Sequence, residues 1–253
     1  LKMSYTEMSQ AVHLVRANYL DLPMSVWLPS TENVTPMKSK QIATGVYFDL
    51  PHNVSLNVEG YWKRMTDIYE YSGLDGFFPD LSDWENQLLR GIGRSYGAEV
   101  EARWRTQKID LAAYYTLSWT ERYFEGIYHD WYPARNDNRH KLTLSATRKF
   151  SDRFEMYAGW HYHTGDRATI PTQLIGDEEF YDSPYNYKMS DYHRLDLGFN
   201  FHRTTKRGNQ STWNLTLYNA YCRMNPMFAY VDTELVEMSL IPIIPSFNYT
   251  LRF

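Results

Sequence analysis

The last seven residues, Phe247-Asn-Tyr-Thr-Leu-Arg-Phe253, alternate strictly between apolar and polar side chains. Phe247, Tyr249, Leu251 and Phe253 occupy every second position, and polar residues fill the places between them. A period of two is typical of a β-strand with one apolar and one polar face. The apolar face continues to the final residue, where a water-soluble domain usually has a frayed polar end. The stretch therefore predicts a terminal strand whose apolar face is covered by something other than water.

The aromatic content indicates what that cover is. Aromatic residues make up 17% of the 253 residues, with 22 Tyr, 12 Phe and 8 Trp. Tyr and Trp prefer the boundary between membrane and water, where the ring meets acyl chains and the polar edge meets headgroups. No run of about 18 apolar residues is present, so the sequence predicts no transmembrane helix. The composition therefore favours a membrane β-barrel over a sandwich with an ordinary edge strand.

Charge, cysteine content and the first residues limit the class further. The net charge of −4 is small and mixed, so the sequence predicts no nucleic-acid partner. Cys222 is the only cysteine, which excludes an internal disulfide; we interpret it as structurally inert, with a free reactive thiol as the alternative. The sequence begins at Leu1 without a basic or apolar leader, and we expect a processed chain or a fragment.

Ten segments alternate between apolar and polar residues and predict ten β-strands. In one of them, Leu195, Leu197 and Phe199 alternate with Arg194 and Asp196. Charges on the second face suit a wide, water-filled lumen better than the packed core of a sandwich. The predicted strands are residues 1–10, 39–50, 54–69, 95–106, 109–123, 140–150, 153–165, 192–203, 211–222 and 239–253.

The connections between these strands alternate between short and long. The short ones are residues 51–53, 107–108, 151–152 and 204–210, and the long ones are 11–38, 70–94, 124–139, 166–191 and 223–238. A membrane barrel has tight periplasmic turns at one end and extended outer loops at the other. Long connections without regular structure are rare in compact domains unless they are functional. The long loops are therefore predicted to form the outer, functional end, and the last strand to descend towards the periplasm.

These observations predict an all-β fold, a transmembrane antiparallel up-and-down β-barrel that is integral to the outer membrane of a Gram-negative bacterium. The terminal residues Phe247, Tyr249, Leu251 and Phe253 resemble the signal by which outer-membrane barrels are recognised for insertion. Because ten is an even number, a closed ten-stranded barrel remains an alternative to a part of a larger one.

Eight stretches, in order along the whole chain, carry a family resemblance. They are SYTEMSQAVHL (4–14), WLPSTENVTP (27–36), SYGAEVEAR (95–103), YYTLSWTER (114–122), YPARNDNRHKL (132–142), DYHRLDLGFNF (191–201), LYNAYCRMNP (217–226) and IPIIPSFNYTLRF (241–253). Together they resemble the barrel of TonB-dependent outer-membrane receptors of the Bacteroidetes type. In that family a 22-stranded barrel surrounds an N-terminal plug. The resemblance implies that residues 1–253 are about the last ten strands, without the plug and the N-terminal strands.

The resemblance also implies a function. Receptors of this family take up nutrients by energy-coupled transport, with outer loops that capture the ligand and a plug that TonB moves. The expected partners are the remainder of the receptor, the TonB energy-coupling protein, the barrel-assembly machinery and lipid or lipopolysaccharide, with a surface lipoprotein as a further candidate. No cofactor is expected. Two alternatives stay open: a receptor-like barrel that is a structural or assembly subunit without transport, and a closed ten-stranded enzyme or passive pore.

Aromatic and arginine side chains in the long loops are the candidate ligand-binding residues. Rings can stack on a sugar, a porphyrin or another flat ligand, and arginine can pair with its acidic groups. The alternative is that the rings pack the loops together or form an interface girdle, and that Arg135 ties a loop to the wall. The candidates are Trp84, Trp131, Tyr132, Arg135, Arg167, Tyr185 and Tyr187.

Neither catalysis nor metal binding is predicted. Glu99 and Glu101 share a polar face with Arg103, which favours a lumenal row of charges over a catalytic carboxylate pair. No serine lies in the strained turn that a nucleophile elbow needs. His161 and His163 point to one side of a strand, but two ligands without a third are seldom a metal site.

Overall fold

The computed structural model describes residues 1–15, 26–71, 81–175, 178–204, 208–231 and 233–252. Ten long strands form one sheet, which we call the wall. Their bounds are β1 Lys2–Gln10, β2 Met37–Leu50, β3 Val54–Tyr71, β4 Leu88–Arg105, β5 Ile109–Phe124, β6 His140–Ser151, β7 Phe154–His163, β8 Tyr192–Thr204, β9 Gln210–Tyr218 and β10 Ile244–Arg252.

The wall is an antiparallel meander in which each strand pairs with its neighbours in the sequence, from β1 to β10. All ten predicted strands are present, and the alternation of short and long connections places every long loop at one end of the sheet. We call this end the loop end. Within the described residues no pairing joins β1 to β10, so the wall has two edges. None of the helices among the described residues is long and apolar enough to cross a membrane.

Three strand boundaries differ from the prediction by four residues or more: the starts of β4 and β10, and the end of β9, which lies at Tyr218 rather than residue 222. Strand β4 begins at Leu88 rather than residue 95, and it pairs with β3 through Gly91 and Gly93. A Cβ atom at Gly91 would lie 2.6 Å from the ring of Phe124, so close packing requires glycine here and removes the alternation that predicts a strand. Strand β10 begins at Ile244 rather than residue 239, after the proline-containing segment 239–243.

The long loops contain short strands of their own. Among the residues that the structure describes, the loops contain three hairpins that are separate from the wall, one distant pair of two-residue strands, one strand that extends the sheet beside β5, and a 3-10 segment. The hairpins are Val12–Val15 with Val26–Pro29, Gln173–Ile175 with Glu178–Phe180, and Phe228–Val231 with Leu235–Met238. The pair is Arg167–Ala168 with Tyr187–Lys188, the strand beside β5 is Tyr128–Pro133, and the 3-10 segment is Leu81–Gln87.

One side of the wall is apolar from β1 to β10, and we call it the apolar face. The strand register aligns Val46, Val58, Val100, Tyr115 and Leu142 in one row across five strands. Large side chains on this face remain open to the surroundings. Examples are Phe201 at 49% exposure, Trp213 at 50% and Phe247 at 59%. An apolar surface of this extent is not tolerated in water, so the face requires an apolar cover.

That cover is not a second protein layer within the described residues. The three clusters of buried apolar side chains lie at the loop end, around Val15, Phe124 and Met189. In the middle of the apolar face, Leu197 and Trp160 are only half-buried. The terminal residues Phe247, Tyr249 and Leu251 are exposed on the same face, and Phe253 lies outside the described residues.

Aromatic residues form two belts along the apolar face. Near the loop end, Trp62, Tyr96 and Trp119 are consecutive cross-strand neighbours, and the rings of Tyr96 and Trp119 stack at 5.4 Å. Near the turns, Phe154 stacks on Phe201 at 4.9 Å. In β4, Tyr96 belongs to the belt near the loop end and Trp104 to the belt near the turns. The two residues are eight positions apart, which is about 27 Å along the strand. A strand tilt of about 35–45° reduces this to about 20 Å, close to the apolar band of a membrane barrel.

The opposite side of the wall is polar, and its side chains bond to each other across strands. Asn57 donates to Glu101 at 3.1 Å, and Arg103 pairs with Asp110 at 2.5 Å. Asn214 donates to Asn200 at 2.6 Å further along the sheet. Glu101 and Arg103 therefore lie in a continuous row of charged and polar groups, the arrangement expected of a lumenal surface.

Candidate functional site

The loop end contains a rigid base built around two rings that solvent does not reach. Phe124, at the end of β5, is 0% exposed, and Tyr132, on the short strand that pairs with β5, is 1% exposed. Both rings pack on Ile68 of β3, so the base connects β3 and β5 with the third long loop, residues 124–139. Glycine at position 91 makes this packing possible, because the ring of Phe124 fills the space of a side chain there.

A partly buried polar cluster lies beside this base. Arg122 Nη1 donates to Glu70 Oε1, and the hydroxyl of Tyr132 donates to Glu70 Oε2 at 3.4 Å. Burial, reinforced by the nearby carboxylate of Glu70, raises the pKa of Tyr132 well above its usual range, so its hydroxyl stays protonated. Glu70 is thereby held between a guanidinium and a phenol, and both charges of the ion pair are balanced.

A cavity of about 650 Å³ opens above Glu70 and Arg122. Its walls come from the end of β1 with the first hairpin, the start of β2, the end of β3, the end of β5 with the loop after it, and the fourth long loop, so five separate parts of the sequence meet here. The lining residues are Gln10, Val12, His13, Leu14, Met37, Ile68, Tyr69, Glu70, Tyr71, Arg122, Gly126, Ile127, Tyr128, Asn136, Thr169, Tyr181, Asp182, Ser183, Pro184 and Tyr185. The volume is within the range that small-molecule sites occupy.

The ionisable groups of the cavity are held by neighbours. His13 Nε2 lies 3.0 Å from the Ser30 hydroxyl oxygen, and its ring meets Tyr69 edge to face at 5.0 Å. Burial lowers the pKa of His13, which keeps the imidazole neutral at pH 7. Asp182 Oδ1 accepts the Ser183 backbone N–H and an amide hydrogen of Asn186, both at 2.8 Å.

The loop that carries Tyr132 is fastened to the wall by Asp137, whose side chain is 1% exposed. Its carboxylate accepts the backbone N–H of Thr120 at 2.8 Å and a hydrogen of Arg139 Nη2 at 2.8 Å, and Arg167 Nε lies 3.9 Å away. The pairing between β5 and the short strand ends next to Thr120. The Asp137 side chain therefore accepts the Thr120 N–H in place of a backbone oxygen of a paired strand. Asn138 extends the connection by donating to Thr164 O at 2.9 Å. The stretch ARNDNR (134–139) therefore ties together the third loop, the fourth loop and the wall.

The structure brings one of the seven candidate ligand residues to the cavity surface. Tyr185 lines the cavity, and its ring lies 6.2 Å from that of Tyr132 in the base below. Trp84 packs in a separate cluster with Val15 and Tyr71. Trp84 and Tyr132 therefore pack the loops together, which is the alternative to ligand binding that the sequence left open for these rings.

The other four candidates lie in the framework around the cavity. Trp131 lies under the guanidinium of Arg94, at 4.3 Å from its ring centre. Arg135 Nη2 donates to the backbone oxygen of Met227 at 3.3 Å, so Arg135 ties one loop to another. Arg167 lies beside Asp137, and the Tyr187 hydroxyl donates to Glu237 Oε1 at 2.9 Å. Burial, followed by this bond to Glu237, raises the pKa of Tyr187.

Sequence reasoning missed Glu70, Arg122, His13 and Asp182 as residues of the site. Glu70 and Arg122 lie at the ends of β3 and β5, where the alternation of the wall gives way to loop, and nothing in the local pattern pairs them across 52 positions. Tyr128 was recognisable only as one ring among several in its loop. At His161 and His163, the described residues contain no group of three or more metal-binding side chains.

Comparison with known proteins assigns the fold. Residues 10–221 match the family model described as TonB dependent receptor-like, beta-barrel. This match covers most of the chain, and the chain belongs to this family of receptor barrels. A comparison with curated proteins finds no match.

Solved structures of receptors share the fold at low sequence identity. The ferric yersiniabactin uptake receptor FyuA from Yersinia pestis aligns with a TM-score of 0.64 and 14% identity over 99% of this chain and 34% of its own. The ferric-catecholate import receptor Fiu from E. coli K12 aligns at 0.57 and 14% identity, over 99% of this chain and 32% of its own. The FrpB iron transporter from Neisseria meningitidis aligns at 0.54 and 12% identity, over 99% and 35%. The chain thus spans about a third of the length of these structures.

Proposed function

We propose that this chain is the C-terminal part of a TonB-dependent outer-membrane transporter that takes up a nutrient by energy-coupled transport. The observation that carries the proposal is the family match over residues 10–221, together with a cavity formed where five parts of the sequence meet at the loop end. The chain supplies barrel wall and outer loops. A plug and further strands, in a barrel of 22 strands, supply the moving part and close the two edges, because lipid does not tolerate unpaired strand edges.

The membrane placement is part of the same proposal. The apolar face with its two aromatic belts supports a lipid-covered wall, and the loop end faces outwards from a Gram-negative cell. Phe247, Tyr249, Leu251 and Phe253 act as the insertion signal for the barrel-assembly machinery. TonB acts on the parts outside this chain, and lipopolysaccharide meets the loop end of the apolar face. A Bacteroidetes-type receptor and an accessory surface lipoprotein remain expectations from the sequence.

Genetic epistasis tests the transport function. In the organism that encodes the chain, deleting its coding region and deleting TonB should cause the same growth defect on the same limiting nutrient, because both remove one uptake step. Combining the two deletions should make the defect no worse on that nutrient. Growth on limiting iron chelates, haem, cobalamin, peptides and oligosaccharides, in wild-type and complemented strains, provides the measurement.

The alternative role as an assembly subunit gives a different result. A deletion that leaves TonB-dependent growth on every nutrient intact, while other outer-membrane proteins are depleted, would refute transport and support a structural role. Quantitative proteomics of purified outer membranes from the same strains distinguishes the two outcomes.

A further inference from the structure

The ligand class of the cavity follows from its charges and rings, provided that the transport function proposed above is correct. Two carboxylates, Glu70 and Asp182, and one guanidinium, Arg122, are the charged groups among its described lining residues, which leaves a net charge of −1. The neutral imidazole of His13 adds no positive charge at pH 7. An anionic ligand would therefore enter a cavity whose only described cation is already engaged.

The engagement of Arg122 is close, and its partner Glu70 is mostly buried, with a side chain that is 19% exposed. Its Nη1 donates to Glu70, and the same carboxylate accepts the Tyr132 hydroxyl. Opening this pair for a ligand carboxylate or catecholate would leave Glu70 uncompensated in a partly desolvated place, which is costly. A cationic ligand gains little, because Arg122 neutralises Glu70 and Asp182 is exposed to water, where an ion pair contributes little to affinity. The electrostatics thus favour a ligand without net charge.

The remaining lining chemistry is aromatic and hydrogen-bonding. Five tyrosines line the cavity: Tyr128, Tyr181 and Tyr185 are partly exposed, and Tyr69 and Tyr71 are largely buried in its wall. Short polar side chains lie between them: Gln10, Asn136, Thr169 and Ser183. Aromatic rings offer a flat apolar surface, while amides, hydroxyls and carboxylates accept or donate to hydroxyl groups. A molecule with apolar C–H faces and many hydroxyl groups satisfies both sets at once.

From this combination we infer that the cavity binds a neutral, hydroxyl-rich ligand, an oligosaccharide, with pyranose faces against the tyrosine rings and hydroxyl groups directed to Asp182 and Asn136. Tyr128 is the most informative ring. It is partly buried on the base, edge-on to Tyr132 at 6.3 Å, and so presents a fixed surface to the cavity.

The test uses the whole receptor that contains this chain, purified in detergent and studied by isothermal titration calorimetry. Maltohexaose, cellohexaose, xylohexaose and mannohexaose are the neutral probes; haemin, a ferric tris-catecholate and trilysine are the charged ones. At least one neutral hexasaccharide should bind, and its affinity should change less than about twofold between 50 and 500 mM NaCl, since no charge is paired on binding. The charged probes should not bind measurably.

Two variants at one position separate stacking from folding. Tyr128→Ala should weaken hexasaccharide binding about tenfold, and Tyr128→Phe should stay within about twofold of wild type, because phenylalanine keeps the ring. Heat-modifiable migration on gels confirms that each variant is folded. Asp182→Asn, which keeps a hydrogen-bonding side chain of the same size, should also remain within about fivefold.

Each other outcome overturns the inference. Binding of haemin, the ferric catecholate or trilysine instead of the hexasaccharides, or binding of none of the probes, contradicts the proposed ligand class. If the TonB epistasis holds in that case, the transporter function stands and only the ligand class fails. If the epistasis itself fails, the proposed function fails independently of any binding result.

Discussion

Replacing Leu197 by arginine should block stable insertion of the protein, because Leu197 lies in the middle of the apolar face of β8. A charged arginine at the mid-plane of a membrane barrel costs about 2–4 kcal/mol of folding free energy. Thr216→Arg is the matched control, because Thr216 lies at the same height on β9 but on the polar face, opposite Gly198 in the register. There the guanidinium reaches water, and the cost should be below about 1 kcal/mol.

The measurement is urea unfolding of the whole receptor in lipid vesicles, together with the amount inserted in the outer membrane of cells. Lower stability and less inserted protein for Leu197→Arg, with near-normal values for Thr216→Arg, would agree with a wall that has lipid on one side and a water-filled lumen on the other. Equal effects of the two substitutions, or a larger loss at Thr216, would show that the assignment of the faces is wrong.

Asp137→Ala should detach the third loop from the wall and lower the free energy of unfolding by about 3 kcal/mol. The substitution removes the acceptor of the Thr120 N–H and the carboxylate that Arg139 and Arg167 share. Because both arginines are about a third exposed or less, solvent compensates part of the lost pairing, which places the estimate at the low end for a broken buried pair.

Asp130→Ala is the control in the same loop. Asp130 is exposed, and its carboxylate accepts only the neighbouring Trp131 N–H among the described contacts, so the change should be below about 0.5 kcal/mol. Thermal unfolding and protease cleavage of residues 124–139 on intact cells measure both effects. If Asp137→Ala leaves cleavage and melting temperature unchanged, the stretch 134–139 does not hold the loop.

The wall could be predicted from the sequence because a strand with one apolar and one polar face alternates apolar and polar residues. All ten strands were recognisable in this way. The start of β4 was not, because Gly91 and Gly93 are there to make room for Phe124 and Met65, contacts that depend on residues far along the chain or on the neighbouring strand. The start of β10 was obscured by apolar residues on both sides of Pro242, which continue the pattern without joining the sheet.

The site could be predicted only in outline. Composition places many rings in the long loops, but it does not state which rings meet. Tyr185 reaches the cavity while Trp131 stacks on Arg94 of the wall, a difference fixed by how the loops fold back. The ion pair of Glu70 with Arg122 joins two strands across a long loop, so no local pattern announces it. Arg135 was expected to bind ligand or to tie its loop to the wall, but it donates to the backbone oxygen of Met227 in another loop, 92 positions away.

The proposed membrane placement requires lipid to cover the apolar face, and nitroxide accessibility along β8 measures that cover. In a Cys222→Ser background, single cysteines at positions 195 to 201 of the whole receptor are spin-labelled in lipid vesicles. We predict that collision with oxygen, which concentrates in lipid, is greatest at Leu195, Leu197, Phe199 and Phe201, and that a water-soluble nickel chelate reaches the positions between them. Protection of all seven positions from both reagents, as in a packed protein core, would show that protein and not lipid covers this face.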